Sequence, residues 1–261
     1  MPDPTDVHAP AADPAAIEGA APRSRNRLLS ALPDVEWALM QPHLRTEELE
    51  VMRVIGEVGE PLHALYFPET GVISAVRRMR GGTIIEAGTV GREGIAGALV
   101  LLDEPTLPAT LLGQVPGRAL SIELATIRGL LPQLPTFVEL QRRYVMTLLD
   151  QLGQTVACNS LHTVEQRCAR WLLITHDQVG SDELILTHEV LSQMLAVRRA
   201  GVTEAAGALQ QRGLISYRRG HITILDRAGL EEVACECHGV VRAHYERMLG
   251  LQAPLPEASR A

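Results

Sequence analysis

Lysine is absent: all 24 basic side chains of the 261-residue chain are arginine, set against 31 acidic ones. That bias follows base composition more than function. The net charge of −7 nevertheless argues against a protein that coats nucleic acid indiscriminately, while leaving room for one basic face. No apolar run approaches the length of a membrane span, and the N-terminus lacks the charged-then-apolar pattern of a signal peptide. No membrane partner and a cytoplasmic location are therefore expected. The four cysteines, Cys158, Cys168, Cys235 and Cys237, form no disulfide framework for a chain of this size, which fits a reducing compartment. There is no G-x-S-x-G, H-E-x-x-H, P-loop or dinucleotide fingerprint, so no catalytic residue is assigned and no enzyme is expected. Large apolar residues are almost missing from residues 1–25, which are rich in Pro, Ala and Asp and read as a disordered tail.

The most informative stretch is Thr187 to Leu225. Thr187 stands where a helix N-cap belongs, ahead of Val190, Leu191, Met194 and Leu195. After a break at Ala196 and Val197, Val202, Ala205, Ala206 and Leu209 take up the spacing of one buried helical face, and Gly213 ends it. Two short helices in tight succession predict a helix-turn-helix whose second helix enters the major groove. Its outward residues are Arg198, Arg199, Ala200, Thr203, Glu204 and Gly207. Ile215 to Tyr217 and Ile222 to Leu225 flank Arg218-Arg219-Gly220-His221, a hairpin with a basic tip suited to phosphate. Between Thr187 and His221 five arginines face only Glu189 and Glu204, so the segment is basic within an acidic chain.

Upstream, Asn26 to Arg45 reads as short helices packed on something larger. From Glu50 to about Ser121 the period shortens, with strands expected at Val51–Ile55, Leu62–Phe67, Val72–Val76, Thr83–Val90, Ala109–Val115 and Arg118–Ile122. Many short strands cornered by glycine predict a small antiparallel barrel or roll. A long helix follows from Thr136 to about Ser160. Val138, Val145, Leu148, Leu152 and Val156, with polar Asn159, fall close to a heptad seam and are read as a dimer interface. Packing of that stripe on the roll is the alternative. Thr163 to Gln166 has the form of a capping box, which places a hinge near His162.

The order of parts and several strings resemble the Crp/Fnr family of bacterial transcription regulators. These are Leu65–Ser74 (LYFPETGVIS), residues 82–97 (GTIIEAGTVGREGIAG) and His162–Leu173 (HTVEQRCARWLL), leading into the helix-turn-helix. The resemblance covers nearly everything from Asn26 to about Leu225. It implies an α+β chain: a double-stranded β-helix or jelly-roll domain like those that bind cyclic nucleotides, a long dimerisation helix, and a C-terminal winged helix-turn-helix. The expected division is a tail at 1–25, a sensor roll at 26–135, the dimerisation helix at 136–161, the DNA-binding domain at 162–235 and a C-terminal segment at 236–261.

The departures matter as much. In cyclic-AMP-binding relatives a Gly-Glu pair and then an Arg-Ser pair hold the cyclic phosphate. Here the first survives as Gly91-Arg92-Glu93-Gly94, while the second falls at Leu107-Pro108-Ala109-Thr110, with no arginine. A buried phosphate without a paired cation is costly, so the usual mode of cyclic AMP binding is not expected. Gly91, Arg92, Glu93, Gly94 and Thr110 remain the effector-site candidates. No cysteine precedes Cys158, which excludes the N-terminal iron–sulfur cluster of oxygen-sensing relatives. Cys235-Glu236-Cys237-His238 gathers three soft ligands where structural zinc takes four at wider spacing, so no metal is assigned. Cys158 is either a bridge between subunits or a small buried hydrophobe. A haem would need an axial ligand such as His63. On the reading helix the family's Arg-Glu pair and second arginine correspond to Arg199, Ala200 and Glu204, and only the first is kept. Thr187, His188, Arg198, Arg199, Thr203, Glu204, Arg218 and Arg219 are the expected DNA contacts.

The expectation is a homodimeric DNA-binding regulator, with double-stranded DNA and itself as partners and RNA polymerase and a small-molecule effector left open. The alternative is a ligand-binding or protein-interaction module with a degenerate helix-turn-helix, which Ala200 and Glu204 motivate.

Overall fold

A computed structural model describes residues 23–102 and 106–250. The greater part of the predicted tail, residues 1–22, lies outside the described residues. Residues 23–25 do not continue a free tail: the Ser24 hydroxyl and the Arg25 amide both donate to the Glu69 carboxylate.

Two short helices, α1 (Arg27–Ser30) and α2 (Asp34–Met40), lead into the strands. One antiparallel sheet has the order β1 (Arg45–Leu49), β7 (Gly117–Glu123), β3 (Ala64–Pro68). The other runs β2 (Val54–Gly56), β6 (Thr110–Val115), β4 (Val72–Arg78), β5 (Ile84–Val90). Together they make the expected roll. Its core takes Leu65 and Phe67 from β3, Ile73 from β4, Leu111 from β6 and Ile122 from β7. Two differences from the sequence reading stand out. Val51 and Met52 are in a turn, not a strand, and Met52 takes a φ of 63°. The first strand is instead Arg45–Leu49, whose sequence RTEEL carries no apolar alternation because four of its five residues stay out of the core.

After α3 (Leu124–Leu130) comes the long helix α4 (Pro135–Leu161). Its first turn has no side-chain cap of its own. The buried carboxylate of Glu36 serves instead, accepting from the amides of Thr136 (2.8 Å) and Phe137 (2.9 Å) and meeting the positive end of the helix dipole. Phe137 packs edge-on against Phe67, at 6.2 Å between centroids, and fixes the helix to the roll.

The chain then reverses at His162 into α5 (Val164–Val179), opened by the predicted capping box: the Gln166 amide donates to the Thr163 hydroxyl and the Thr163 amide donates back to the Gln166 side chain. There follow β8 (Glu183–Ile185), α6 (His188–Met194), α7 (Arg199–Gln211), β9 (Ile215–Arg218), β10 (His221–Ile224), α8 (Arg227–Val233) and α9 (Cys237–Leu249). The small sheet has the order β8-β10-β9. α9 falls in the part read only as a C-terminal segment. It folds back along α4, bringing Tyr245 against Tyr144 and His244 to within 3.0 Å of Asp150. Among the described residues no helix is long and apolar enough to cross a membrane.

Candidate nucleic-acid interface

The helix-turn-helix is built as its sequence requires. The Thr187 hydroxyl accepts from the Val190 amide and starts α6. The helix stops at a left-handed Ala196 (φ 52°), with the Val197 amide reaching back to the Ser192 carbonyl. From α5, the Arg167 guanidinium donates to the Leu195 carbonyl and holds that turn. α7 ends in the same way at Gly213 (φ 73°): its amide bonds to the Gln210 carbonyl, and the Leu214 amide to the Leu209 carbonyl. Glycine is the residue for that backbone, as it is at Gly220 (φ 83°), which with Arg219 (φ 49°) forms the two-residue turn of the wing. Val202, Ala205, Ala206 and Leu209 are buried against α5 and α6.

That packing leaves Arg198, Arg199, Ala200, Thr203 and Glu204 exposed on one face of α7, with Arg218 and Arg219 exposed at the wing tip. Among the described residues no carboxylate forms an ion pair with any of these four arginines, whereas Arg212 is drawn to Glu165 at 3.5 Å. Four unneutralised guanidinium groups on two adjacent elements make a surface suited to a polyanion. Thr187 is exposed, but its hydroxyl is committed to the helix cap. His188 is half-buried: its ring stacks on Tyr217 of β9, and Nδ1 lies 3.2 Å from the Thr203 hydroxyl. Burial, then the charge of Arg199, lowers its pKa. Tyr217, whose amide donates to the Gln210 side chain at 2.7 Å, is not among the contacts expected from the sequence. An aromatic in a wing strand opposite an α6 histidine is the signal that could have found it.

The head rests on the roll. Val72, Val76, Ile84, Leu112 and Val115 of the strands share one buried cluster with Trp171, Leu172 and Met194. At its centre the buried Glu86 accepts from Ser74 Oγ (2.7 Å), Gln114 Nε2 (2.7 Å) and Trp171 Nε1 (3.0 Å). Burial raises its pKa, against the opposing pull of these hydrogen bonds.

Thr110 stands apart from the other effector-site candidates. Gly91 lies under α5, where a Cβ would strike the Gln178 side chain, and Glu93 accepts from Gln178 Nε2 at 2.8 Å. Burial raises the Glu93 pKa. Gly94 abuts the Tyr144 hydroxyl, and Arg92 approaches Gly180 at the end of α5. Thr110 is at the other end of β4: it pairs with Val76, while Val90 pairs with Ile73. Its hydroxyl donates to Glu57 at 2.8 Å. The sequence alignment of Thr110 with the missing phosphate ligand therefore does not translate into one pocket with Gly91, Arg92, Glu93 and Gly94.

The residues of the predicted dimer seam are divided between covered and exposed faces of α4. Val145 is buried, and Leu148 and Leu152 turn toward Gly88 of β5, with Val138 only partly accessible. Of that set only Val156 and Asn159 are exposed. The open apolar stripe is Met146 (54 % exposed), Leu149 (53 %) and Val156 (69 %), with Gly153 between them.

Residues 166–233 match the family model of the Crp-like helix-turn-helix domain. The chain carries a Crp-like helix-turn-helix on a Crp/Fnr fold. A CRP-family transcriptional regulator from Thermus thermophilus is similar over 79 % of this chain and 98 % of its own, at 20 % identity and a TM-score of 0.59. FixK2 from Bradyrhizobium japonicum aligns over 74 % of this chain and 98 % of its own, with 13 % identity and a TM-score of 0.63. The c-di-GMP-responsive global regulator CLP of Xanthomonas campestris covers 72 % of this chain and 97 % of its own, with 16 % identity and a TM-score of 0.56. No curated protein matches the sequence. The Crp-like domain spans α5 to α8, so the exposed arginines of α7 and of the wing lie within it.

Proposed function

We propose that the protein is a sequence-specific, DNA-binding transcriptional regulator of the Crp/Fnr type, active as a homodimer on a palindromic operator with half-sites about one helical turn apart. The observation that carries this reading is the outward face of α7, where Arg198 and Arg199 stand exposed and, among the described residues, without ion-pair partners beside the Arg218–Arg219 wing tip. Arg199 is assigned to base reading, since arginine is the commonest bidentate partner of guanine; the wing arginines are assigned to phosphate. Thr203 and Glu204 flank Arg199 on the groove side, and Ala200 limits that position to a methyl contact.

Dimerisation is assigned to α4 through Met146, Leu149, Gly153 and Val156, because this stripe is apolar, heptad-spaced and left exposed by the described residues. Residues 26–135 then act as the sensor and 162–235 as the reader. The arrangement of Glu93 and Gln178 supports a roll-to-head joint at the position of the phosphate cassette and speaks against cyclic AMP bound in the usual mode. On this proposal the protein is cytoplasmic and has no enzymatic activity. Selection of bound duplexes from a random pool tests it.

A further inference from the structure

Four soft donors that the sequence scatters over 80 residues meet at one point. Cys158 and His162 stand one turn apart at the end of α4, and Cys235 and Cys237 lie at the junction of α8 and α9. Cys158 Sγ is 3.5 Å from Cys235 Sγ, Cys237 Sγ is 3.5 Å from His162 Nδ1, and all four donor atoms lie within 4.8 Å of one another. We propose that Cys158, His162, Cys235 and Cys237 form a structural zinc site that clamps α9 to the hinge between α4 and α5.

The spacing fits one ion. Zinc–sulfur bonds of about 2.3 Å put neighbouring vertices of a tetrahedron roughly 3.8 Å apart, within the range seen here. Three cysteines and one histidine are an established structural donor set for zinc. Groups that orient and support the donors are also in place. His162 Nε2 lies 3.2 Å from the Glu236 carboxylate, which holds the proton on that nitrogen and turns the Nδ1 lone pair inward, the carboxylate–histidine pairing of zinc sites. Gln154 Nε2 donates to Cys237 Sγ at 3.0 Å, as amides do to metal-bound thiolates.

Charge supplies an independent argument. Arg167 and Arg170 of α5 are buried beside Cys158, 8 % and 7 % exposed; among the described residues neither forms a direct ion pair, and the one carboxylate that feels the charge of Arg170 is the buried Glu86. Among the described residues Arg170 Nε has no hydrogen-bond partner. Two buried guanidinium groups call for nearby negative charge. On binding zinc, the three thiols release their protons to solvent and the histidine gives its lone pair, leaving one net negative charge on the site. Metal binding thus adds negative charge beside the two buried guanidinium groups. The tandem Cys235-Glu236-Cys237-His238 pattern points to the wrong histidine: His238 is turned to Asp177 at 2.9 Å, and His162 takes its place.

The test is the metal content of the full-length protein, incubated with zinc and a thiol reductant, then dialysed and measured by plasma mass spectrometry. About one zinc per chain is expected, falling to background in Cys235→Ser and Cys237→Ser and kept in Cys168→Ala, whose thiol is outside the cluster. Glu236→Gln leaves all four ligands in place, and chelator competition should show zinc held about 10–100-fold more weakly. Cobalt should give the intense visible bands of a tetrahedral thiolate site. Wild-type protein that stays at the background of Cys235→Ser, or that binds iron or forms a Cys158–Cys235 disulfide in preference to zinc, overturns the proposal.

Discussion

The His188 ring at the start of α6 stacks on the Tyr217 ring of the wing, centroids 4.2 Å apart and planes 14° from parallel. It joins the three pieces of the reading head, because the same imidazole faces Thr203 on α7. Tyr217→Ala should cost about 0.5–1.5 kcal/mol and loosen the wing, seen as faster amide exchange in β9 and β10. Tyr217→Phe keeps the stack and should be close to wild type.

The same histidine gives a pH dependence. Its folded pKa is held below the usual 6.5, by burial and then by Arg199, so the unfolded chain takes up the proton first as pH falls. Its contribution to stability is full above about 6.5 and is lost as pH drops through the folded value. An NMR titration of the His188 ring should show a midpoint under 6.5; one above it would remove the argument.

Arg199→Ala should cost about 1–3 kcal/mol on the preferred operator and relax preference at one base pair. Arg219→Ala should weaken operator and random DNA alike and lower the salt slope by about one. Titrations at several salt concentrations separate the two, and identical behaviour would refute the division of labour.

A charge placed on the exposed stripe should split the proposed dimer. Leu149→Arg is expected to sediment as a monomer and to lose operator affinity, whereas Leu148→Ala, which thins the packing on β5, should lower stability and leave the mass unchanged. Analytical ultracentrifugation with a melting curve reads both.

Glu36→Ala removes the remote cap of α4 and should destabilise the chain by about 1–2 kcal/mol in denaturant titration, since two amides at a buried helix end lose their acceptor. Glu36→Gln, with one acceptor oxygen, should fall between.

The helix-turn-helix is legible in the sequence because its signals are local: Thr187 caps, Gly213 stops, and Val202 and Leu209 repeat at helical spacing within a few residues of each other. The same is true of the Thr163–Gln166 capping box. The long helix is legible in extent, while which of its apolar residues the rest of the chain covers is not. α4 is covered by the roll on one side and by α9 on another, so apolar residues occur on more than one face and a heptad search settles on Val145 and Leu152 as readily as on Leu149 and Val156. β1 escapes the pattern because an edge strand with most of its residues outside the core needs no alternation. Glu36, Thr110 and the cysteines share a different cause: their partners lie far along the chain, as when Cys158 meets Cys235, and no spacing rule reaches that far.

On the proposed function the outward face of α7 reads base sequence. This is tested most directly by selecting bound duplexes from a random DNA pool with the purified wild-type protein at moderate salt. The account predicts recovery of a palindrome whose half-sites are about one helical turn apart, with a preference at one position that disappears in Arg199→Ala. Recovery of no motif, with uniform binding that depends only on salt, would contradict it.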